Sequence, residues 1–214
     1  MSFNTVFNPR TLLPCLALSA GAAYASNDAA DFVLREYTIP LTDIDEIQIH
    51  AGAGKMEILP LDANEVRIVL EIESEKDGWF DRKRDVSDVE LESDVRGRRL
   101  VLRQTEEGTN TEWTVQMPAL ARTSIEMGVG EIDADLGTTE LDVELGVGDV
   151  DITLPEASTG DIDIAVGVGD ARLRGADDVD HEHAFVSQDI SGRGQGSLDA
   201  RIDVGVGEVT LTLE

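Results

Sequence analysis

Residues 141–154 read Leu-Asp-Val-Glu-Leu-Gly-Val-Gly-Asp-Val-Asp-Ile-Thr-Leu. Ahead of the Gly-Asp pair the apolar residues Leu141, Val143, Leu145 and Val147 are all odd; behind it Val150, Ile152 and Leu154 are all even. Strand side chains alternate between faces, so a change of parity in a straight strand would turn the apolar set outward. The chain must bend, bulge or reverse at the Gly-acid pair to keep that set inside. Glycine suits the place because it accepts a positive φ without a Cβ clash.

The same grammar recurs at Met127-Gly128-Val129-Gly130-Glu131, Val166-Gly167-Val168-Gly169-Asp170 and Val204-Gly205-Val206-Gly207-Glu208. Each copy carries the same parity switch. A fifth is unlabelled by the motif but obeys the rule: Ile47, Ile49, Ala51 and Ala53 give way to Met56 and Ile58 across Gly52 and Gly54. The second glycines of the four obvious copies are 18, 21 and 38 residues apart. Such periods predict stacked supersecondary units, with the last gap holding one degenerate coil or a loop.

The expected fold is therefore all-β, a β-solenoid or β-roll with Gly-Val-Gly-acid corners. A β-sandwich or meander of short hairpins also satisfies the alternation, with Gly-acid as a two-residue loop. Similarity among adjacent copies favours the solenoid, where like positions stack. Val66, Ile68, Leu70 and Ile72 predict another strand, and residues 174–197 a long loop around a strand at 184–187. Pro60, Pro118 and Pro155 each sit at a strand end, where a missing amide donor costs least.

The N-terminus reads as a secretory signal, with Arg10, an apolar run from Leu12 to Ala20 and the small-x-small site Ala23-Tyr24-Ala25. Cleavage is expected after Ala25. Cys15 lies in the apolar run, so the mature chain carries no thiol; a lipoprotein signal would want a small residue where Pro14 stands. The predicted organisation is a signal peptide at 1–25, an N-terminal segment at 26–41 and one all-β domain at 42–214, most regular over 121–214. No later stretch is apolar and long enough for a transmembrane helix. Two Trp and two Tyr are too few for the aromatic girdles of a membrane barrel.

The formal charge is −27, and residues 104–214 supply most of it, with 25 acids against 5 bases. An exported chain with that surface does not bind nucleic acid.

The strand closing on Trp113-Thr-Val-Gln-Met-Pro118, followed by Ser124-Ile-Glu-Met-Gly-Val-Gly-Glu-Ile-Asp133 and the second Gly-Val-Gly copy, resembles the adhesin-like domains of unknown function in bacterial envelope proteins. The resemblance covers roughly residues 42–214. It implies a β-solenoid-like fold and an envelope setting, and it supplies no catalytic residues.

Four chemistries remain to be weighed. Glu131, Asp149, Asp170 and Glu208 follow the second glycines; stacked, and joined by Asp133, Asp151 and Asp163, they would form an acidic ladder able to hold Ca²⁺. The alternative is a solvated acidic face that keeps strand edges soluble. His181-Glu182-His183 offers two imidazoles without a third ligand at metal spacing, and incidental histidines are favoured. Arg82, Lys83, Arg84, Arg96, Arg98, Arg99 and Arg103, with Trp79 and Phe80, could hold an anionic glycan or headgroup. The favoured reading pairs them with Asp85, Asp88, Glu90, Glu92 and Asp94. For catalysis, no G-x-S-x-G or H-E-x-x-H is present, and the plentiful acids are unspecific. The sequence thus predicts an exported, non-enzymatic envelope protein serving adhesion, scaffolding or envelope interaction with a glycan or protein partner. A Ca²⁺-stabilised repeat and a polysaccharide-active solenoid are the alternatives.

Overall fold

A computed structural model describes residues 32–74, 76–77, 82–83, 85–183 and 187–214. Residues 1–25, where the signal sequence was expected, lie outside it, as do Trp79, Phe80 and Arg84. The described residues form strands and no helix: β1 (Phe32–Pro40), β2 (Glu46–Pro60), β3 (Glu65–Ser74), β4 (Lys76–Asp77), β5 (Arg82–Lys83), β6 (Glu92–Arg96), β7 (Arg99–Gln104), β8 (Thr109–Met117), β9 (Arg122–Asp135), β10 (Glu140–Leu154), β11 (Thr159–Arg174), β12 (Asp177–His183), β13 (Gln188–Arg193) and β14 (Leu198–Leu213). The short β4 and β5 pair with each other. The other twelve strands form one hydrogen-bonded system.

Strands β2, β9, β10, β14 and β11 lie side by side in that order, all parallel, each paired continuously on both sides of its glycine corner. Their register puts Gly54, Gly130, Gly148, Gly207 and Gly169 in one row, so all five predicted copies stack like on like. Connection length shows how sharply each strand folds. From Asp135 to Glu140 the chain has five links, reaching at most about 18 Å, whereas a straight β9 would leave its end roughly 45 Å from its start. Since Glu140 sits beside Arg122 at the start of β9, each long strand must double back at its glycines. The result is a two-sided roll: one layer made of the halves before the corner, the other of the halves after it.

The interior is a set of aliphatic ladders, as parallel in-register stacking dictates. One row runs Leu102, Ile49, Ile125, Val143, Ile202, Ile164, Ile190, every member buried. Across the core, Trp113, Met56, Ile132, Val150, Val209 and Ala171 form its counterpart.

The ends depart from a sequential coil. On one side β7 flanks the first half of β2 and β8 its second half, with residues 105–108 opening the corner between them. Strands β3 and β1 continue that layer antiparallel. Segment 26–41, set apart from the domain on sequence, thus supplies β1, with Tyr37 and Ile39 buried and the Tyr37 hydroxyl accepting the Leu91 amide proton at 3.1 Å. On the other side, β14 threads between β10 and β11 although it follows both in sequence. The 38-residue gap holds neither a degenerate coil nor a long loop. It contains an antiparallel pair, β12 with β13, laid on the first half of β11. Of the strand expected at 184–187, residues 184–186 lie outside the described part and Ser187 is not in a strand. Within β13 only Ile190 is a buried apolar residue, and β12 beyond it is the edge of the sheet, so the segment reads as a loop.

Candidate functional site

The corner is where the sequence placed its motif, and in the four copies that carry it neither glycine has room for a side chain. The second of each copy has φ between +137° and +151°, and a Cβ built on Gly130, Gly148, Gly207 or Gly169 lands on the carbonyl oxygen of the glycine one coil over. The first glycine has an ordinary φ, yet a Cβ on Gly128 would lie 2.7 Å from Gly52 O, and one on Gly167 2.6 Å from Gly205 O. Backbone therefore stacks on backbone along a double glycine spine.

The valine between them is not part of the core. Val129, Val147, Val168 and Val206 are 45–53% exposed, in register at the outer elbow, contrary to the parity reading that placed them inward. The inward series ends one apolar residue earlier, at Leu145, and resumes at Val150, so four residues make the bend.

Beside the spine, on the outer face of the first layer, lies a trench of about 700 Å³. Its floor is the row Gly128, Gly146, Gly205 and Gly167, where missing side chains leave backbone exposed to a ligand. Its wall is the row His50, Glu126, Glu144, Asp203 and Ala165, set in register by the five parallel strands. Five strands at about 4.8 Å spacing make it about 19 Å long. Glu126 accepts hydrogen bonds from Gln48 Nε2 at 3.1 Å and pairs with His50 Nδ1 at 2.8 Å; Asp203 accepts from Arg201 Nε at 2.8 Å. The Glu144 side chain has no hydrogen-bond or ion-pair partner among the described residues. Motif reading missed this wall because its residues are two positions ahead of the glycines and share no residue type; only the outward register collects them.

The acidic ladder assembles in part. Glu131, Asp149, Glu208 and Asp170 stand in one row behind Lys55. Lys55 Nζ pairs with Glu131 at 3.1 Å, the Glu208 amide donates to Asp149 Oδ1 at 3.0 Å, and Arg172 pairs with Glu208 at 3.0 Å. Asp133 and Asp151 are neighbours in a parallel row, but Asp163 is on the other layer beside Arg201. Among the described residues no three carboxylate or imidazole side chains converge as metal ligands. His181–His183 lie in β12; their side chains fall outside the described part.

Of the basic cluster, Arg96, Arg98, Arg99 and Arg103 are paired, Arg96 along its own strand β6 and the other three with a neighbouring segment, while the side chains of Arg82, Lys83 and Arg84 lie outside the described part. Arg98 bonds Asp45, Arg99 bonds Glu46 at 2.8 Å, Arg96 bonds Asp94 at 2.9 Å and Arg103 approaches Glu92 at 3.9 Å. Glu92 and Asp94 were expected partners; Asp45 and Glu46 were not, because they reach Arg98 and Arg99 only through the β2–β7 pairing. The hydrogen bond from Arg98 holds the Asp45 carboxyl below its ordinary range, while Glu131 raises Lys55 and Asp203 raises Arg201. Each shift comes from a surface ion pair. No helix among the described residues is long and apolar enough to cross a membrane.

Fold and site together define a two-sided parallel β-roll with a glycine spine and an open acidic trench. The chain belongs to the toast-rack N-terminal domain family, DUF2154, whose model matches residues 46–174. The match begins with β2 and ends with β11, so β12, β13 and β14 lie beyond it. That membership agrees with the resemblance to envelope domains of unknown function. No curated protein matches the chain. Among solved structures it is similar to a Clostridium sporogenes protein provisionally named for cell adhesion, at 14% identity and TM-score 0.49 over 85% of this chain and 99% of that one. A Bacteroides fragilis protein provisionally named an adhesin follows at 12% identity, TM-score 0.30, covering 84% and 96%. A Parabacteroides distasonis protein provisionally named for lipid binding stands at 11%, TM-score 0.28, covering 84% and 94%. Those names describe those proteins.

Proposed function

We propose that this chain is an exported, non-enzymatic cell-envelope protein whose roll makes adhesive or scaffolding contacts through the glycine-floored trench. One observation carries the reading: five coils hold a long open channel in fixed register, with exposed backbone on its floor and hydrogen-bonding carboxylates on its wall. Rigid, repeated and open geometry suits an extended polymer, glycan or polypeptide, better than a small molecule, which binds in enclosed pockets. Backbone floor groups and carboxylates both bond hydroxyl or amide donors.

The trench is tested by binding of the purified chain to immobilised envelope glycans and envelope proteins. Ala165→Trp fills one end of the channel and is expected to weaken binding by about tenfold or more, as a blocked contact surface does. Unchanged binding by that variant would remove the trench from the reading. Location is tested by protease treatment of intact cells. Loss of the protein is expected for adhesion; full protection behind an intact outer membrane would sink the adhesive version.

The acidic row is, on this reading, a solvated face and not a calcium site, because cationic and amide groups already engage three of its four carboxylates, Glu131, Asp149 and Glu208. Millimolar Ca²⁺ is expected to move Tm no further than equal Mg²⁺. A calcium-specific rise that Asp149→Ala with Asp170→Ala abolishes would reverse this.

A further inference from the structure

The innermost row before the corner runs Gln104, Ala51, Met127, Leu145, Val204, Val166, Gln188. Five apolar residues are bracketed by two glutamines, both buried, 3% and 8% exposed. A buried amide must be satisfied, and each of these is satisfied where the coil stack stops. At the β8 end, Thr111 donates to Gln104 Oε1 at 3.2 Å and Gln104 Nε2 donates to Thr109 at 3.4 Å, bracing the corner that residues 105–108 open.

At the β11 end the amide has a different task. Strand β13 flanks β11 only up to Val166, so beyond the corner, over residues 169–174, β11 has β14 as its one strand neighbour among the described residues. Facing that free side, the Ala171 amide donates to Gln188 Oε1 at 2.8 Å and Gln188 Nε2 donates to Ala171 O at 3.2 Å. One side-chain amide thus makes the two bonds that a residue of a further strand would make. Exposed edges of this kind are templates for pairing unless something occupies them.

We propose that Gln188 is a plug on a latent pairing edge, and that with the plug removed residues 169–174 of β11 accept strand β1 of a second copy of this chain. Strand β1 lies at the opposite end of the same layer. It has β3 as its one neighbour among the described residues, and it exposes Phe32 and Leu34. The inner edge of β11 already accepts β14, a strand arriving from a distant part of the chain. Joining two opposite ends of one layer is a head-to-tail contact, which adds copy after copy unless its rotation closes a ring.

Sedimentation velocity on the purified chain from micromolar to millimolar concentration tests this. The wild type is expected to stay monomeric. Gln188→Met, which keeps the shape and loses both bonds, is expected to associate about thirtyfold more strongly, the worth of two ordinary hydrogen bonds. A peptide with the sequence of β1 should compete that association away, and a scrambled peptide should not. Hydrogen exchange gives the second reading: the Ala171 amide should be protected in the wild type, exposed in dilute variant and protected again as it associates. A folded Gln188→Met or Gln188→Ala chain that stays monomeric at every concentration overturns the proposal. Unfolding of both variants overturns it too, since Gln188 would then be a core residue and not a plug.

Discussion

Gly148→Ala is expected to leave the chain without a cooperative thermal transition, or with Tm lowered by about 10 °C or more, the consequence of losing over about 4 kcal/mol in a domain of this size. Two costs coincide. At φ +137° an L-residue is strained, by about 1–2 kcal/mol for the left-handed region. The larger cost is that the new Cβ coincides with the carbonyl oxygen of Gly130, a backbone atom that cannot rotate away. Relief requires separating β9 from β10, which breaks their ladder on both sides of the corner.

The spine also predicts which glycines are dispensable. Every Cβ would point the same way along the stack: Gly146 toward Gly128 O, Gly128 toward Gly52 O, and Gly52 toward the open corner, where Thr105 Cα lies 3.4 Å off. Gly52→Ala should therefore cost under about 1 kcal/mol, within the ordinary range for a substitution that meets only van der Waals contact. Gly97→Ala, at φ +67° with nothing within 4 Å, isolates the strain term and should cost about 1–2 kcal/mol. Melting the three variants together separates close approach from strain. Equal losses at Gly52 and Gly148 would mean that glycine serves there for its flexibility alone.

How much of this was legible depends on which physical effect wrote the signal. Parity alternation located all five corners, including the one at Gly54 that lacks the motif, because a buried face leaves no freedom in side-chain period. The stacking of like on like was equally legible, since five similar units bury their apolar ladders best in register. The valines were misread because hydrophobicity at the right parity looks inward, and only the bend itself shows that four residues, not two, form the elbow. The order of the strands left no trace. Val166 and Val204 are the same residue type at the same place in their repeats, so nothing in composition tells β14 to lie inside β11. The trench wall was hidden for a related reason: His50, Glu126, Glu144 and Asp203 belong to four coils, and their alignment exists only across strands. Gln188 carried a local sign, a large amide where its row elsewhere is apolar, but reading it required knowing that β13 occupies that row.

Strand order has one consequence that no local substitution reproduces. Removing residues 198–214 is expected to abolish the folded state, leaving a chain without cooperative melting, even though the family match ends at Arg174 and is left whole. In a sequential coil the last strand is a terminal cap, and its loss would cost one coil. Here β14 is interior, hydrogen-bonded to β10 on one side and to β11 on the other over thirteen registered pairs each. Its removal strips Ala200, Ile202, Val204, Val209, Leu211 and Leu213 from the core. At about 1.5–3 kcal/mol for each larger side chain that loss approaches the whole stability of an ordinary domain. The contrary outcome has a definite form as well. Because β11 carries the same corner grammar, it could slide one spacing and pair directly with β10, and a truncated chain with native-like melting and protected β10 and β11 amides would show that it had. Adding the 198–214 peptide back distinguishes the two. A slot between two parallel strands should bind it by strand addition and regain the transition, whereas a closed β10–β11 pair should not. If the slot exists, the last seventeen residues of the chain are also the last to fold, since both walls must be in place before β14 can enter between them.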